Sequence, residues 1–188
     1  MTFLTRLKAE THALHMELEQ ALPLGRPGLT LPQYGAVLET FAAVVFPLEE
    51  RLRQLAWNDA FEVEARWRSE ALLQDLSGLE LKLPAPASQF QTLTPLQGMG
   101  ALYVLEGSRL GGAIIARDLA RLGLNATHGA AFFSPSAHLA PDWKRFKEAL
   151  TREVTEDEET EVVSGAQLTY QVFLSAWREK SKLDKVTE

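Results

Sequence analysis

The chain of 188 residues contains no cysteine. That absence excludes disulfides, thiolate zinc sites and a cysteine nucleophile, and without any mark of an oxidising compartment a cytoplasmic location is expected. Long apolar runs are also missing. None reaches the ~18 residues that span a bilayer, and Arg6, Lys8 and Glu10 interrupt the segment where a secretion signal would be apolar, so no membrane association is expected. Positive charge is scarce: 19 Lys and Arg against 25 Asp and Glu leave a formal net charge of −6. This disfavours a nucleic acid partner, although a local basic patch can still hold a small anion. Nor is there a strand alternation, an internal repeat, a glycine fingerprint after a strand, or the paired Glu-x-x-His of a di-iron bundle. The chain therefore carries no nicotinamide or flavin site of its own.

What is present forms helices. Hydrophobic residues make up 46%, enough for one core, and a single domain over residues 1–188 is expected. Leu4, Leu7, Leu14, Leu18 and Leu22 recur at helical spacing until Pro23 and Gly25, which ends a first helix near residue 21. Thr30, Pro32 and Gln33 form a capping box with proline in the first turn, opening a second helix to about Trp57 that Pro47 should bend or split. A shorter amphipathic stretch runs from about Val63 to Leu76, followed by a loop. Thr94, Pro95 and Gln97 then repeat the capping signature and start a long helix to about Leu122, which Gly123 stops. After a loop over residues 125–141, helices are expected over about 142–151 and 156–182. The fold class is all-α, an irregular helical bundle.

His12 and His15, three residues apart, share one side of the first helix, on or near the stripe of Leu7, Leu14 and Leu18. Spacing alone fits two ordinary histidines better than it fits a ligand. A neutral imidazole is nevertheless a common haem ligand, and without cysteine the axial candidates are His, Met or Tyr. His15, between Leu14 and Leu18, is better placed than His12, which follows polar Glu10 and Thr11; Met16 points away from that side.

The segment 98–112 is apolar yet holds Gly98, Gly100, Gly107, Gly111 and Gly112. Each interior glycine costs about 1 kcal/mol relative to alanine, so Gly107, Gly111 and Gly112 forfeit on the order of 3 kcal/mol that something else must offset. Gly107 and Gly111, four apart, bare one face to another helix or to a flat ligand. Tight helix packing accounts for them about as well as a ligand does. Polar Glu106, Ser108 and Arg109 within the apolar run, together with the freedom to kink and present carbonyls, favour a cofactor site.

These two segments resemble the haem oxygenase family. Leu7-Lys8-Ala9-Glu10-Thr11-His12-Ala13-Leu14-His15, followed by Glu19, is similar to its proximal-histidine helix, with His15 on the ligand position. Tyr103-Val104-Leu105-Glu106-Gly107-Ser108-Arg109-Leu110-Gly111-Gly112 is similar to its distal helix, especially in bacterial members paired with bacteriophytochromes. Ala131-Phe132-Phe133 and Trp143-Lys144-Arg145-Phe146-Lys147 resemble a downstream stretch that contributes basic contacts to the haem propionates, so the likeness spans residues 7 to about 150. One departure is informative. Many members carry a carboxylate after the first distal glycine, where this chain has Ser108, whose hydroxyl can hold a water but supplies no anion.

The resemblance implies haem b as substrate and cofactor, sandwiched between the first helix and the glycine-rich helix, and cleavage to biliverdin, carbon monoxide and ferrous iron. His15 is then the metal ligand. Gly107, Ser108 and Gly111 are the catalytic candidates, their backbone pressing dioxygen towards one meso carbon while waters near Gly107 and Ser108 deliver protons. Tyr103 and Gly112 complete the cofactor-binding set, with Lys8 and Lys144, Arg145 or Lys147 as cations for the propionates. Electrons must come from a ferredoxin or a reductase, and a bacteriophytochrome is a candidate recipient of biliverdin. A monomer is expected. The competing expectation is a non-enzymatic haem carrier or sensor on the same fold.

Overall fold

Thr2 accepts a hydrogen bond from the Thr5 N–H and opens α1 (Phe3–Ala21) in the computed structural model, which describes residues 1–187. Capping boxes start α2 (Leu31–Arg53) at Thr30 and α4 (Pro95–Ser108) at Thr94, as the sequence pattern predicts. Pro47 lies inside α2 without splitting it. A proline there deprives the carbonyl four residues earlier of its helical donor. That carbonyl, on Ala43, accepts instead from the Ala87 N–H at 2.8 Å, so the proline-containing loop is tied to α2 at its missing bond. The helix stops short of Trp57, whose indole N–H turns back to the Leu52 carbonyl at 2.7 Å.

The stretch expected as one helix from Val63 is different. Two short 3-10 turns, Asp59–Phe61 and Val63–Ala65, come first, separated by Glu62 in the left-handed region at φ 47°, and α3 (Ser69–Gly78) follows. Its start is set from outside: the buried Glu49 carboxylate on α2 accepts from the Arg68 and Ser69 N–H groups at 2.7 and 3.1 Å and from the Ser69 hydroxyl. A carboxylate there complements the positive end of the helix.

The long helix expected up to Leu122 is interrupted. A 3-10 turn over Arg109–Gly111 separates α4 from α5 (Gly112–Arg121), where three glycines leave little propensity to hold an unbroken α-helix. Gly123, at φ 80°, ends α5, and the Leu124 N–H closes back onto Leu119 at 3.1 Å. Helix α6 (Leu139–Glu153) begins earlier than expected, with Pro141 in its first turn, where a missing N–H costs nothing. Helix α7 (Glu159–Thr187) is the longest.

Helix α7 runs through the bundle, packed chiefly against α4, α1 and α2. Glycine makes the α4–α7 seam close: a Cβ on Gly100 would fall 1.9 Å from the Val162 carbonyl oxygen, and one on Gly165 2.0 Å from that of Gln97. Phe41 of α2 meets Phe132, Phe133 and Phe173 in an aromatic cluster beneath these helices. No strand occurs among the described residues; Asn125 makes isolated bridges to His128 and Gly129. By length and composition α2 alone among the described helices could cross a bilayer, yet 61% of its apolar window is buried within the bundle, as for a core helix.

Candidate functional site

A slot opens between α1 on one side and the α4–α5 junction on the other, with α7 as its floor. Its inner part, about 900 Å³ including space open to solvent, is mainly apolar, with Leu18, Phe41, Val104, Phe133 and Phe173 in its wall. Its outer part, about 1260 Å³ on the same basis, is bordered by Lys8, His12, Tyr103, Trp143 and Lys147. His15, Gly107 and Tyr170 border both, so the two parts form one continuous space.

The α1 side presents both histidines, but only His15 reaches the inner, apolar part. Its ring meets Tyr170 edge-on, with centroids 5.9 Å apart, which limits the rotation of the imidazole. Burial raises the Tyr170 and Tyr103 hydroxyls above the ordinary tyrosine value, so both remain protonated donors at neutral pH. Met16 borders neither part of the slot.

The glycines divide by what surrounds them. A Cβ on Gly100 meets backbone, one on Gly98 comes within 2.5 Å of Leu55, and one on Gly112 lies 2.9 Å from the Phe133 carbonyl oxygen. These serve close packing. A Cβ on Gly107 would have only Trp143 as near as 3.8 Å, and one on Gly111 only Ile115 at 4.0 Å. No neighbouring helix needs these two to be glycine, and both border the slot. Their missing side chains leave a bare backbone face opposite His15, suited to a flat ring system and consistent with haem.

The polar residues within the glycine-rich segment mostly face the other way. Glu106 is buried and accepts from Arg66 at 2.7 Å and from Arg109 at 2.9 and 3.2 Å, an ion cluster behind α4 rather than in the slot. Ser108 borders the slot, with its hydroxyl donated to the Leu105 carbonyl at 2.7 Å. Of the expected propionate cations, Lys8 and Lys147 border the outer part, and Lys147 lies 5.5 Å over the Trp143 ring. Lys144 is exposed and leans on Glu148 at 3.8 Å, while Arg145 pairs with Glu62 and Asp142; neither borders the slot.

The sequence reading missed the contribution of α7. Tyr170 and Phe173 belong to its apolar stripe, but helical periodicity cannot tell the part of a stripe that lines a slot from the part that packs on a neighbour. The sequence points to the basic neighbours of Trp143, yet it is the tryptophan itself that meets Tyr103 at the outer edge, the two rings tilted with centroids 5.2 Å apart.

Comparison with known proteins identifies the family. The family model described as "Heme oxygenase" matches residues 1–179. The chain is 28% identical over 156 residues to a heme oxygenase of Xanthomonas campestris, covering 80% of this chain and 92% of that protein. It is 27% identical over 177 residues to heme oxygenase PigA of Pseudomonas aeruginosa, covering 89% and 87%. Among solved structures, the NO- and CO-bound heme oxygenase of Neisseria meningitidis superposes with a TM-score of 0.85 at 26% identity, over 96% of this chain and 92% of that one.

Proposed function

The chain belongs to the haem oxygenase family of enzymes, and from that premise we propose that it opens haem to biliverdin, carbon monoxide and ferrous iron, using dioxygen and electrons from an external ferredoxin or reductase. The observation that carries the reading is the slot itself, with an imidazole on one wall and two otherwise unneeded glycines, Gly107 and Gly111, on the other.

Haem supplies the iron that activates dioxygen and is the molecule consumed. The protein supplies orientation and exclusion of water. His15 would hold the iron through an imidazole nitrogen, its ring braced edge-on by Tyr170. The apolar inner part takes the porphyrin body, where burial of a large flat hydrocarbon surface drives association. Lys8 and Lys147 at the outer part would pair with the propionates and so set how the haem is turned in the slot. The backbone of Gly107 and Gly111 would cover the haem on the side opposite His15, Tyr103 flanks the outer part, and Gly112 lets this turn sit against Phe133. Ser108 already donates its proton to Leu105, so towards the slot its oxygen can accept from a water and hold it in place. One domain carries all these groups. A bacteriophytochrome that takes biliverdin as chromophore, or release of iron for the cell, would each use the product.

Haemin titrated into the purified protein tests the ligand assignment. His12→Ala should keep the imidazole-ligated Soret spectrum and His15→Ala should lose it; the reverse result rejects His15. Supplied with ascorbate or a reductase, the complex should lose its Soret band as bile pigment appears. Intact haem after such treatment would reject the oxygenase reading in favour of a carrier.

A further inference from the structure

Residues 130–138 form neither helix nor strand, so no regular ladder fixes their backbone. Buried peptide groups in such a segment take their partners from side chains. Here those side chains come from α3 and its start. The fully buried Asp75 carboxylate accepts from the Ala131 and Phe132 N–H groups at 2.7 and 2.8 Å. Nη2 of Arg68, the residue before the helix, donates to the carbonyls of the same two residues at 3.0 and 2.7 Å. One dipeptide is thus gripped by a carboxylate at its donors and by a guanidinium at its acceptors, and charge-assisted bonds of this kind are about twice as strong as neutral ones. Arg68 also lies 5.7 Å over the Phe132 ring, while its buried Nε–H has no partner among the described residues. The guanidinium is placed for the two carbonyls, not for the satisfaction of its own donors.

What this grip holds in place is the next residue. The Phe133 ring meets Phe41 and Phe132 with centroids 5.3 and 5.0 Å apart and borders the inner slot. Its carbonyl abuts the start of α5, where a Cβ on Gly112 would lie 2.9 Å from the oxygen. Gly112 directly follows Gly111, whose bare face borders the slot. In a close-packed interior a shift of residues 131 and 132 therefore carries Phe133 with it and presses on or loosens the Gly111–Gly112 turn. Arg68 and Asp75 themselves border neither part of the slot.

Resting on the haem oxygenase reading of the slot, we propose that Asp75 and Arg68 are positioning residues for it: by gripping the 131–132 peptides they set Phe133 and the Gly111–Gly112 turn at the spacing that admits haem. Neither residue touches the substrate. Their effect passes through one loop and one glycine contact, and it reaches the wall of the slot that faces His15.

Asp75→Ala is compared with Gly100→Ala, a variant destabilised at the α4–α7 seam and away from this loop. In the haem-free full chain, amide exchange at residues 111–115 should quicken in Asp75→Ala beyond the change in the rest of the molecule, and should not do so in Gly100→Ala. Haemin affinity per folded molecule should fall about five- to tenfold in Asp75→Ala and stay unchanged in Gly100→Ala, with the imidazole-ligated Soret spectrum kept in both. Asp75→Asn, which keeps one acceptor oxygen, should lie between the wild type and Asp75→Ala, and Arg68→Ala should resemble Asp75→Ala. Unchanged haemin affinity in Asp75→Ala overturns the proposal, as does a loss that Gly100→Ala shares or exchange at 111–115 that only follows the global change. Failure of the wild-type chain to bind haemin rejects the reading of the slot, and the proposal with it. Should Asp75→Ala not fold, the nearly isosteric Asp75→Asn decides by the same comparison.

Discussion

Alanine at Gly107 and alanine at Gly100 should act in opposite directions, although both residues are interior glycines of α4. At Gly107 the added methyl meets nothing closer than 3.8 Å and projects towards the slot, so Gly107→Ala should recover up to about 1 kcal/mol of helix propensity. The unfolding midpoint should then rise by roughly 2–4 °C while haemin affinity falls about tenfold or more. At Gly100 the methyl would collide with the Val162 backbone at 1.9 Å, so Gly100→Ala should cost on the order of 1–3 kcal/mol, with haemin affinity per folded molecule unchanged. Calorimetry and haemin titration of both variants check this, and unaltered affinity in Gly107→Ala would remove the glycine face from the site. At this scale the types and positions of the key residues were legible in the sequence, but their directions were not. Glu106 reads as a polar intrusion into an apolar run, and only its pairing with Arg66, forty residues away in the chain, turns it from the slot.

Element boundaries followed the sequence wherever the cap is local. Thr30 with Gln33 and Thr94 with Gln97 start their helices where the spacing predicts, because donor and acceptor are three residues apart. They failed where the cap comes from elsewhere. Helix α3 starts at Ser69 because Glu49 waits above it, so Glu49→Ala should destabilise the protein by about 1–2 kcal/mol, read as a lower urea midpoint without a change in m. Asp75, on the same helix, accepts from the Ala131 and Phe132 N–H groups at 2.7 and 2.8 Å and pins the downstream loop. Burial nevertheless raises its pKa above 3.8, outweighing those bonds and Arg68. The folded state thus binds this proton more readily than the unfolded state, and the contribution of Asp75 to stability declines as pH rises through that window. Relative to Asp75→Asn, the wild-type protein should gain stability as pH falls from 7 towards 4. A difference in urea midpoint that stays flat over that range would contradict the raised pKa.

For the molecule as a whole, the slot separates α1 from the α4–α5 junction, so a ligand filling it ties together elements that otherwise meet through α7 and α6. Haemin at a hundredfold excess over its dissociation constant should raise the unfolding midpoint by roughly 5–10 °C. Amide exchange should slow in α1, around residues 104–115, and near Tyr170. The formal charge of −6 opposes a dianionic ligand at long range, so Lys8 and Lys147 must act locally. Alanine at either should weaken haemin binding about two- to fivefold and flatten its salt dependence, as expected for exposed charge pairs. Lys144→Ala should change neither, since Lys144 lies outside the slot.

The sequence by itself determined the helical class, the local caps, the spacing that sets His15 on an apolar side, and the glycine cost that something had to offset. All of these are properties of a few neighbouring residues, where propensity and period act. Tertiary structure alone decided which glycines pack on α7 and which bare the slot, where α3 begins, how Ala43 recovers the bond lost at Pro47, and that the buried Nε–H of Arg68 is left without a hydrogen-bond partner. Each of those depends on groups tens of residues apart being brought within a few ångströms, and no local period encodes such a pairing.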